Sequence, residues 1–334
     1  MTMQRLPIDL PSSMVTILLT LSALAMPTSA SAQTAGTAAA TTPFAYVPNE
    51  GSGTISIIDT SNDQVVADLP GGTKPRGLAV DPGRRWLYVS DQPHSRLQLV
   101  DLKTRQLGAA IALGESPEGV SISPDGRWVV AALEGKNEIA VTDARTNALA
   151  FSIKVHGKNP EHAVFSPNGR LLFVSAEEGE AVDIIDFASR KQVAQVAVGA
   201  RPRGIGFLPD SSRAYVATEN ANEVFVIDTS NYAILARIKA GLRANGIAVH
   251  PSGREVYVSN GGDANVSVID TASNRVVATV AVGQRPWNMA LTPDGKKLYV
   301  ANGRSNSVSV IDTASRTRLR DIAVGKLPWG VVIR

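Results

Sequence analysis

Residues 283–325 read GQRPWNMALTPDGKKLYVANGRSNSVSVIDTASRTRLRDIAVG. This stretch contains four segments of alternating or continuous apolar character, which are typical of short β-strands. They cover residues 286–291, 297–301, 307–312 and 318–324. Turn-forming residues separate them, first Thr292-Pro293-Asp294-Gly295 and then Asn302 to Asn306. The stretch therefore predicts four antiparallel strands joined by tight turns in about 42 residues.

Three landmarks of this unit recur along the chain in one register. The first opens the second strand of each unit, at Tyr46, Tyr88, Val130, Phe173, Tyr215, Tyr257 and Tyr299. The second ends the third strand, at Asp59, Asp101, Asp143, Asp186, Asp228, Asp270 and Asp312. The third is a Pro turn, at Pro75, Pro117, Pro160, Pro202, Ala244 (where Pro is lost), Pro286 and Pro328. All three are spaced by 42 residues, with one spacing of 43 near the end of the third unit.

Seven four-stranded units predict an all-β, seven-bladed β-propeller, because one such sheet buries its faces only against neighbouring sheets. The first unit begins at Phe44 and lacks a first strand, whereas residues 328–333 are a first strand without a following unit. We expect the C-terminal strand to complete the first blade and close the ring. The alternatives are an open array or a ring completed by a second chain.

Several copies of the unit resemble a known repeat. Tyr299-Val300-Ala301-Asn302 and the Val-Ser-Val-Ile-Asp segments at 266–270 and 308–312 resemble the YVTN-family β-propeller repeat over residues 44–334. The Pro-Trp-Gly-Val-Val ending is similar to the branch of that family encoded beside pyrroloquinoline-quinone (PQQ)-dependent alcohol oxidation systems. The resemblance implies a periplasmic protein without an established catalytic role. The chain departs from the repeat at Ala131-Ala132-Leu133 and at Ala244.

The N-terminus resembles an export signal. Arg5 precedes the apolar run 14–26, and Ala30-Ser31-Ala32 matches a small-x-small cleavage site. We expect residues 1–32 to be a signal peptide, 33–43 a flexible leader and 44–334 the propeller. The expected location is the periplasm or the exterior, without stable membrane insertion after cleavage. The alternative is an uncleaved membrane anchor.

Composition excludes several classes of function. The chain has no cysteine, which rules out disulfides, thiolate catalysis and thiolate metal ligands. Its net charge of +3 is small, and no run of basic residues is interleaved with aromatic ones, so we expect no nucleic-acid partner. Motifs for zinc proteases, serine hydrolases, phosphate-binding loops and calcium loops are absent from the sequence. We therefore predict neither a metal nor a cofactor.

The Pro turns are where a ligand site is expected, because first strands line the channel of a propeller. The residues beside Pro differ in charge between blades, whereas a purely structural position would vary little. Blades three and four are acidic, blades five to seven are basic, and tryptophans occupy blades seven and one. The predicted ligand-binding residues are Arg76, Glu118, Glu161, His162, Arg201, Arg203, Arg243, Arg285, Trp287, Asn288 and Trp329.

Two functions fit this set. The first is a non-enzymatic binding or scaffold protein, whose funnel mouth binds a partner protein or a small anionic ligand through Arg residues. The second is a lactonase-like hydrolase or lyase that uses Glu161, His162 and Arg203. His162 is suggestive because Gly or Asn fills the equivalent position in the other copies. The simpler interpretation is ordinary variation on a solvated rim, and we prefer the non-enzymatic function.

Overall fold

The computed structural model describes residues 43–334. These residues form seven four-stranded antiparallel sheets, so the predicted seven-bladed propeller is confirmed. The predicted signal peptide and most of the predicted leader lie outside the described residues. Within 43–334, no helix has the length and apolar character needed to cross a membrane.

The blades are numbered in chain order. Blade 1 contains β1 (Phe44–Asn49), β2 (Thr54–Asp59), β3 (Gln64–Pro70) and the C-terminal β28 (Val332–Ile333). Blade 2 contains β4 (Pro75–Val80), β5 (Trp86–Asp91), β6 (Arg96–Asp101) and β7 (Gln106–Ala112). Blade 3 contains β8 (Pro117–Ile122), β9 (Trp128–Leu133), β10 (Glu138–Asp143) and β11 (Ala148–Lys154). Blade 4 contains β12 (Pro160–Phe165), β13 (Leu171–Ala176), β14 (Ala181–Asp186) and β15 (Lys191–Ala197).

The remaining blades follow the same order. Blade 5 contains β16 (Pro202–Phe207), β17 (Arg213–Thr218), β18 (Glu223–Asp228) and β19 (Ile234–Lys239). Blade 6 contains β20 (Ala244–Val249), β21 (Glu255–Asn260), β22 (Asn265–Asp270) and β23 (Arg275–Ala281). Blade 7 contains β24 (Pro286–Leu291), β25 (Lys297–Asn302), β26 (Ser307–Asp312) and β27 (Thr317–Ala323). Two short 3₁₀ helices follow β5 and β9, at Gln92–His94 and Glu134–Lys136.

The core lies between the blades. Seven clusters of buried apolar residues occur among residues 43–334, and each contains side chains of two neighbouring blades. This is the burial that a repeat architecture requires, since a single sheet has no other apolar surface to pack against. The cluster between blades 7 and 1 includes Tyr299, Val310, Val47 and Ile58, so the ring is closed by side-chain packing.

Backbone pairing also closes the ring, as predicted from residues 328–333. Tyr46 pairs with Val332 and Ala45 with Ile333, and an isolated bridge joins Asn49 to Pro328. The predicted closure is therefore confirmed, and the alternative of an open array is wrong. The C-terminal strand takes the inner position of blade 1, which the N-terminal segment leaves vacant.

Candidate functional site

The first strands of the blades surround a central channel. Each first strand contacts the first strand of the next blade, including β24 with β28 and β28 with β4. These strands come so close that a Cβ atom at Gly77 would lie 2.3 Å from the carbonyl oxygen of Glu118. Close packing therefore favours glycine at this position, although His162 and Asn288 replace it in blades 4 and 7. The residue before this position, directly after Pro, varies more in its side chain.

A polar cavity of about 420 Å³ occupies the mouth of the channel. Four acidic and four basic side chains line it, together with amide and indole groups. The lining residues are Glu50, Arg76, Glu134, Asn159, Glu161, Glu177, Arg201, Arg203, Asn245, Arg285, Trp287, Asn288 and Trp329. We call this space the mouth cavity.

Arg203 is the centre of the largest ion-pair network in the mouth cavity. Its Nη1 lies 2.5 Å from Oε1 of Glu161 and 3.2 Å from Oε2 of Glu177. Its Nε donates a hydrogen bond of 3.0 Å to Oε2 of Glu219. Arg285 donates to the other oxygen of Glu219, from Nη2 at 2.7 Å. Arg201 contacts Glu177 as well, so charges of both signs alternate across blades 4 to 7.

A second network surrounds Arg76 of blade 2. Its Nε donates to Oε2 of Glu50 at 3.1 Å, and its Nη1 contacts Oε1 of Glu118. Glu118 is fully buried behind Arg76 and also accepts from Gln92, but its Oε2 has no partner among the described residues. Burial, reinforced by the charge of Glu161, raises the pKa of Glu118 to about 8 despite the opposing effect of Arg76.

Three carboxylates from blades 3 and 4 meet beside Arg203. One oxygen from each of Glu134, Glu161 and Glu177 lies within 4.8 Å of the others. Burial, and then the charge of Glu161, raises the pKa of Glu134 to about 7. Burial would also raise the pKa of Glu161, but Arg203 and the other neighbouring groups together outweigh burial, and the pKa is lowered. The cluster therefore combines an ionised Glu161 with a Glu134 that titrates near neutrality.

These three carboxylates are also the residues that could hold a cation within the described part of the chain. The sequence predicted no metal site. Arg203 already contacts one oxygen of Glu161 and one of Glu177, so fewer oxygens are left to coordinate a metal ion.

The opposite wall of the mouth cavity is aromatic. Trp287 lies over the backbone of Gly303, where a Cβ atom would be 2.6 Å from its ring. Trp329, on the C-terminal segment, lies across the channel from blade 4, with its ring centroid 5.4 Å from that of His162. Tryptophan offers ligands an apolar face and one N–H donor.

Below the mouth, the channel narrows to an apolar space of about 150 Å³. Leu78, Val120, Val164, Ile205, Ile247, Val331 and Val332 line it, and His162 is one of the few polar side chains beside them. Burial lowers the pKa of His162, with Glu161 opposing this effect, so its imidazole is neutral at pH 7. The ring fits there because the neighbouring position is Gly119, whose Cβ would lie 2.4 Å from His162 Nδ1.

The predicted site residues fall into three groups. Nine of them line the channel or its mouth, namely Arg76, Glu161, His162, Arg201, Arg203, Arg285, Trp287, Asn288 and Trp329. Glu118 is buried behind them, and Arg243 is exposed in a separate rim depression with Leu242 and Gly262. The structure joins the predicted acidic and basic sectors by ion pairs. Whether these residues bind a ligand stays a prediction.

Sequence reasoning missed a second ring of side chains. These residues come directly after the second strand of each blade, and they are Glu50, Gln92, Glu134, Glu177, Glu219, Gly261 and Gly303. Their spacing repeats that of the Pro turns, and they supply the acids that pair with Arg76, Arg201, Arg203 and Arg285. Four glutamates at one repeat position were the signal that could have revealed them.

Solved structures with the same fold include proteins of different kinds. The chain is 25% identical to a hydrazine synthase chain of Kuenenia stuttgartiensis, with a TM-score of 0.75, over 80% of this chain and 92% of that one. A functionally unknown protein from Desulfotomaculum acetoxidans matches at 19% identity and a TM-score of 0.77, over 87% and 98% of the two chains. A candidate 6-phosphogluconolactonase from Bacteroides uniformis matches at 18% identity and 0.73, over 88% and 100%. The last two likenesses show the fold alone.

Comparison by sequence gives the family. No curated protein sequence matches the chain. The sequence profile of the YNCE-like β-propeller family matches residues 9–334, which include every blade. This match agrees with the repeat register and with the seven sheets. The chain therefore belongs to the YNCE-like β-propeller family.

Proposed function

We propose that this chain is a binding or scaffold protein that holds a small charged ligand, or a charged group of a partner protein, in the mouth cavity. The observation that carries the proposal is the lining of that cavity. Eight ionisable side chains and two tryptophans converge there from different blades. Ligand pockets typically combine a concave surface with a few convergent polar groups.

The lactonase-like alternative is less well supported by the geometry. Glu161 is engaged by Arg203, and the His162 ring makes no hydrogen bond to either of them among residues 43–334. His162 also faces the apolar part of the channel, whereas Glu161 faces the mouth cavity. The geometry therefore does not support a substrate atom that lies close to Glu161, His162 and Arg203 at the same time. The fold does not distinguish a binding protein from an enzyme, because solved structures named as enzymes share it.

A thermal-shift experiment tests the proposal. The mature protein is screened against small carboxylates, lactones, amines, amino acids and quinone cofactors, because a ligand that binds the folded state raises the melting temperature. Arg285→Gln removes a cavity arginine, and Arg316→Gln removes an arginine with a similar ion pair to Glu255 outside the cavity. We expect at least one compound to shift wild type and Arg316→Gln but not Arg285→Gln.

Two results would decide against this function. If no compound shifts the melting temperature, or if Arg285→Gln responds like the wild type, the mouth cavity is not the binding site. If a lactone is hydrolysed with turnover that His162→Gln abolishes, the enzymatic alternative replaces the binding function.

We also propose that the protein acts in the periplasm as an accessory to a quinoprotein oxidation pathway. The N-terminal sequence and the resemblance of its Pro-Trp-Gly-Val-Val ending support this location and role. Fractionation of cells expressing the full chain tests the export step. We expect the soluble periplasmic fraction to contain a protein that begins at Gln33, and an unprocessed chain in the membrane fraction would contradict the cleavage.

A further inference from the structure

The ion pairs of the mouth cavity form an alternating chain of charges. Arg285 contacts Glu219, Glu219 contacts Arg203, and Arg203 contacts Glu161 and Glu177, which lie beside Glu134. This series of charges therefore begins with Arg285, a base in blade 7, and ends with Glu134, an acid in blade 3. Both kinds of charge are present in equal number in the lining, so a ligand with a large net charge gains little from the cavity as a whole.

Each end of this series of charges has unfilled bonding capacity among the described residues. Glu134 accepts a hydrogen bond from Ser116 at 2.8 Å but has no basic side chain within 4.0 Å among the described residues. At the other end, Nη1 of Arg285 is buried without an acceptor. Glu118 Oε2, behind the acidic end, also lacks a donor. Because buried polar groups are normally satisfied, these atoms indicate that the hydrogen bonding of the network is incomplete at both ends.

The acidic end has the geometry of an ammonium site. An –NH₃⁺ group donates three hydrogen bonds. With bonds of about 2.8 Å in tetrahedral directions, its three acceptors lie about 4.6 Å apart. The oxygens of Glu134, Glu161 and Glu177 lie within 4.8 Å of one another, which suits such a group. A divalent cation needs six or more oxygens and would meet the guanidinium of Arg203 at this position.

The basic end suits a carboxylate. Arg285 lines the mouth cavity, and Asn245 and Asn288 add amide donors beside it. A guanidinium donates two parallel hydrogen bonds to a carboxylate. Trp287 and Trp329 provide an apolar wall for the carbon skeleton of a ligand, and the volume of about 420 Å³ suits a small molecule.

We propose that the ligand of the mouth cavity is a small zwitterion, with its ammonium group at Glu134, Glu161 and Glu177 and its carboxylate at Arg285. This inference rests on the proposed binding function and specifies its ligand class. The ligand would complete the charge chain at both ends, whereas an acid or an amine alone would complete one end. The binding should therefore depend on both groups together.

Calorimetric titration with two matched sets of compounds tests this inference. One set is 6-aminohexanoate, hexylamine and hexanoate, and the other is leucine, isoamylamine and 4-methylpentanoate. Each set compares a zwitterion with the corresponding amine and acid, and the two zwitterions differ in the separation of their charges. We expect at least one zwitterion to bind ten-fold or more tightly than both of its singly charged analogues.

Variants locate the two ends. Glu134→Gln should weaken the zwitterion about ten-fold or more and should leave binding of the acid unchanged, because it removes one ammonium acceptor. Arg285→Gln should weaken the zwitterion and leave the amine unchanged, and Arg285→Lys keeps the charge if the first variant folds poorly. Glu138→Gln and Arg316→Gln are the matched controls, since Glu138 has no side-chain partner in the described chain and Arg316 pairs outside the cavity.

The outcomes separate this inference from the proposed function. Equal affinity of a zwitterion and its acid, or binding of CaCl₂ that Glu134→Gln abolishes, would overturn the zwitterion and leave a binding protein with another ligand. Failure of all six compounds would also overturn it, while a hit from another class in the thermal-shift screen would keep the proposed function. If neither the calorimetric titration nor the thermal-shift screen detects binding, both the zwitterionic ligand and the proposed binding function are wrong.

Discussion

Arg203 shows at the scale of one residue how the mouth is held together. Its side chain is 13% exposed and contacts Glu161, Glu177 and Glu219, so three carboxylates share its single positive charge in a confined space. Breaking a buried ion pair by removing one partner is costly, because the remaining charges stay buried. The mouth is therefore both a candidate site and a part of the structure whose stability depends on a few charges.

Replacement of Arg203 measures this dependence. We expect Arg203→Gln to lower the free energy of unfolding by about 3 kcal/mol, the usual size of the loss when one partner of a buried pair is removed. Arg145→Gln is the control, because Arg145 pairs with Asp143 but is 67% exposed, and the loss there should stay below about 1 kcal/mol. Urea unfolding followed by circular dichroism gives both values. Equal losses would contradict the role given to Arg203.

Glu134 predicts a pH dependence of stability. Its pKa is raised from 4.5 to about 7 in the folded chain, so between these values the folded state binds more protons than the unfolded state. The free energy of unfolding then falls as the pH rises through this range. We expect lower stability near pH 8 than near pH 5, and we expect Glu134→Gln to reduce the difference.

The lowered pKa values of Glu161 and Glu219 have the opposite effect at more acidic pH, where protonation removes their ion pairs with Arg203. Stability should therefore be lost again below about pH 4. Urea titrations of the wild type, Glu134→Gln and the control Glu138→Gln, made at several pH values from below 4 to 8, test both expected losses of stability. A difference between pH 5 and 8 that Glu134→Gln leaves unchanged would contradict the raised pKa of Glu134, since Glu118 also titrates in this range.

Sequence reasoning reached the positions of the site and missed its pairing. The variable residues beside the Pro turns could be read because a repeat makes each departure visible, as with Arg203 and Trp287. The acids after the second strands were missed because most of their partners come from other blades. Glu219 of blade 5, for example, pairs with Arg285 of blade 7. Such contacts depend on how the ring brings the blades together, and periodicity alone does not contain that information.

At the scale of the strand, the recurring landmarks have identifiable structural functions. The Asp residues that end the third strands accept hydrogen bonds from the following turn, as Asp59 does from Ser61 and Asp312 from Ser315. The turn asparagines are buried, and Asn302 donates to the hydroxyls of Ser307 and Ser309. These local roles were predictable, since the partners lie only a few residues away.

Other features of the strands departed from the repeat. Leu133 replaces the turn asparagine in blade 3, and the chain there forms the 3₁₀ helix Glu134–Lys136. The extra residue of the third repeat lies in the connection between β11 and β12, which spans residues 155–159. The repeat register showed where both changes occur. Only the structure shows the short helix that places Glu134 in the mouth cavity.

Tyrosines that open the second strands connect neighbouring blades. Tyr215 donates to Asn274 of blade 6 at 3.2 Å, and Tyr299 of blade 7 makes the equivalent contact with the carboxylate of Asp63 in blade 1. Asp63 also accepts from Lys297 at 2.9 Å. The seventh interface therefore uses the same contact as Tyr88 with Asn147 and Tyr215 with Asn274, but with a charged acceptor.

We expect Tyr299→Phe to destabilise the protein by about 2 kcal/mol and Tyr215→Phe by about 1 kcal/mol, because hydrogen bonds to charged groups contribute more. The two substitutions remove the same atom from equivalent, fully buried positions, so each is the control of the other. Urea unfolding at neutral pH measures them. A larger loss for Tyr215→Phe would show that the closing interface is not the stronger one.

At the scale of the whole molecule, the short strand β28 joins the two ends of the propeller. It pairs with β1 through Ala45 and Ile333, and backbone hydrogen bonds of 2.9 and 3.0 Å join Phe44 to Arg334 in both directions. The same C-terminal segment carries Trp329 into the mouth cavity. Ring closure and the proposed ligand site are thus linked, since loss of the terminal strand would also remove one aromatic wall.

An engineered disulfide tests this closure. Because Phe44 and Arg334 form the hydrogen-bonded pair, Ala45 and Ile333 form the adjacent non-hydrogen-bonded pair, with Cα atoms about 4.5 Å apart, within the range of disulfides. The chain has no cysteine, so Ala45→Cys with Ile333→Cys forms a single defined bridge. Its loop encloses all seven blades, and loop entropy predicts a stabilisation of about 6 kcal/mol relative to the reduced protein.

The comparison of oxidised and reduced forms of the same double variant cancels the loss of packing at Ile333. We expect the oxidised form to melt at a higher temperature and to run as a monomer on a non-reducing gel. The two single-cysteine variants, treated with the same oxidant, control for the substitutions themselves. A bridge that forms only between chains would mean that β28 completes blade 1 of a second molecule. Equal melting temperatures of the oxidised and reduced monomers would mean that separation of the two chain ends does not limit the stability of the ring.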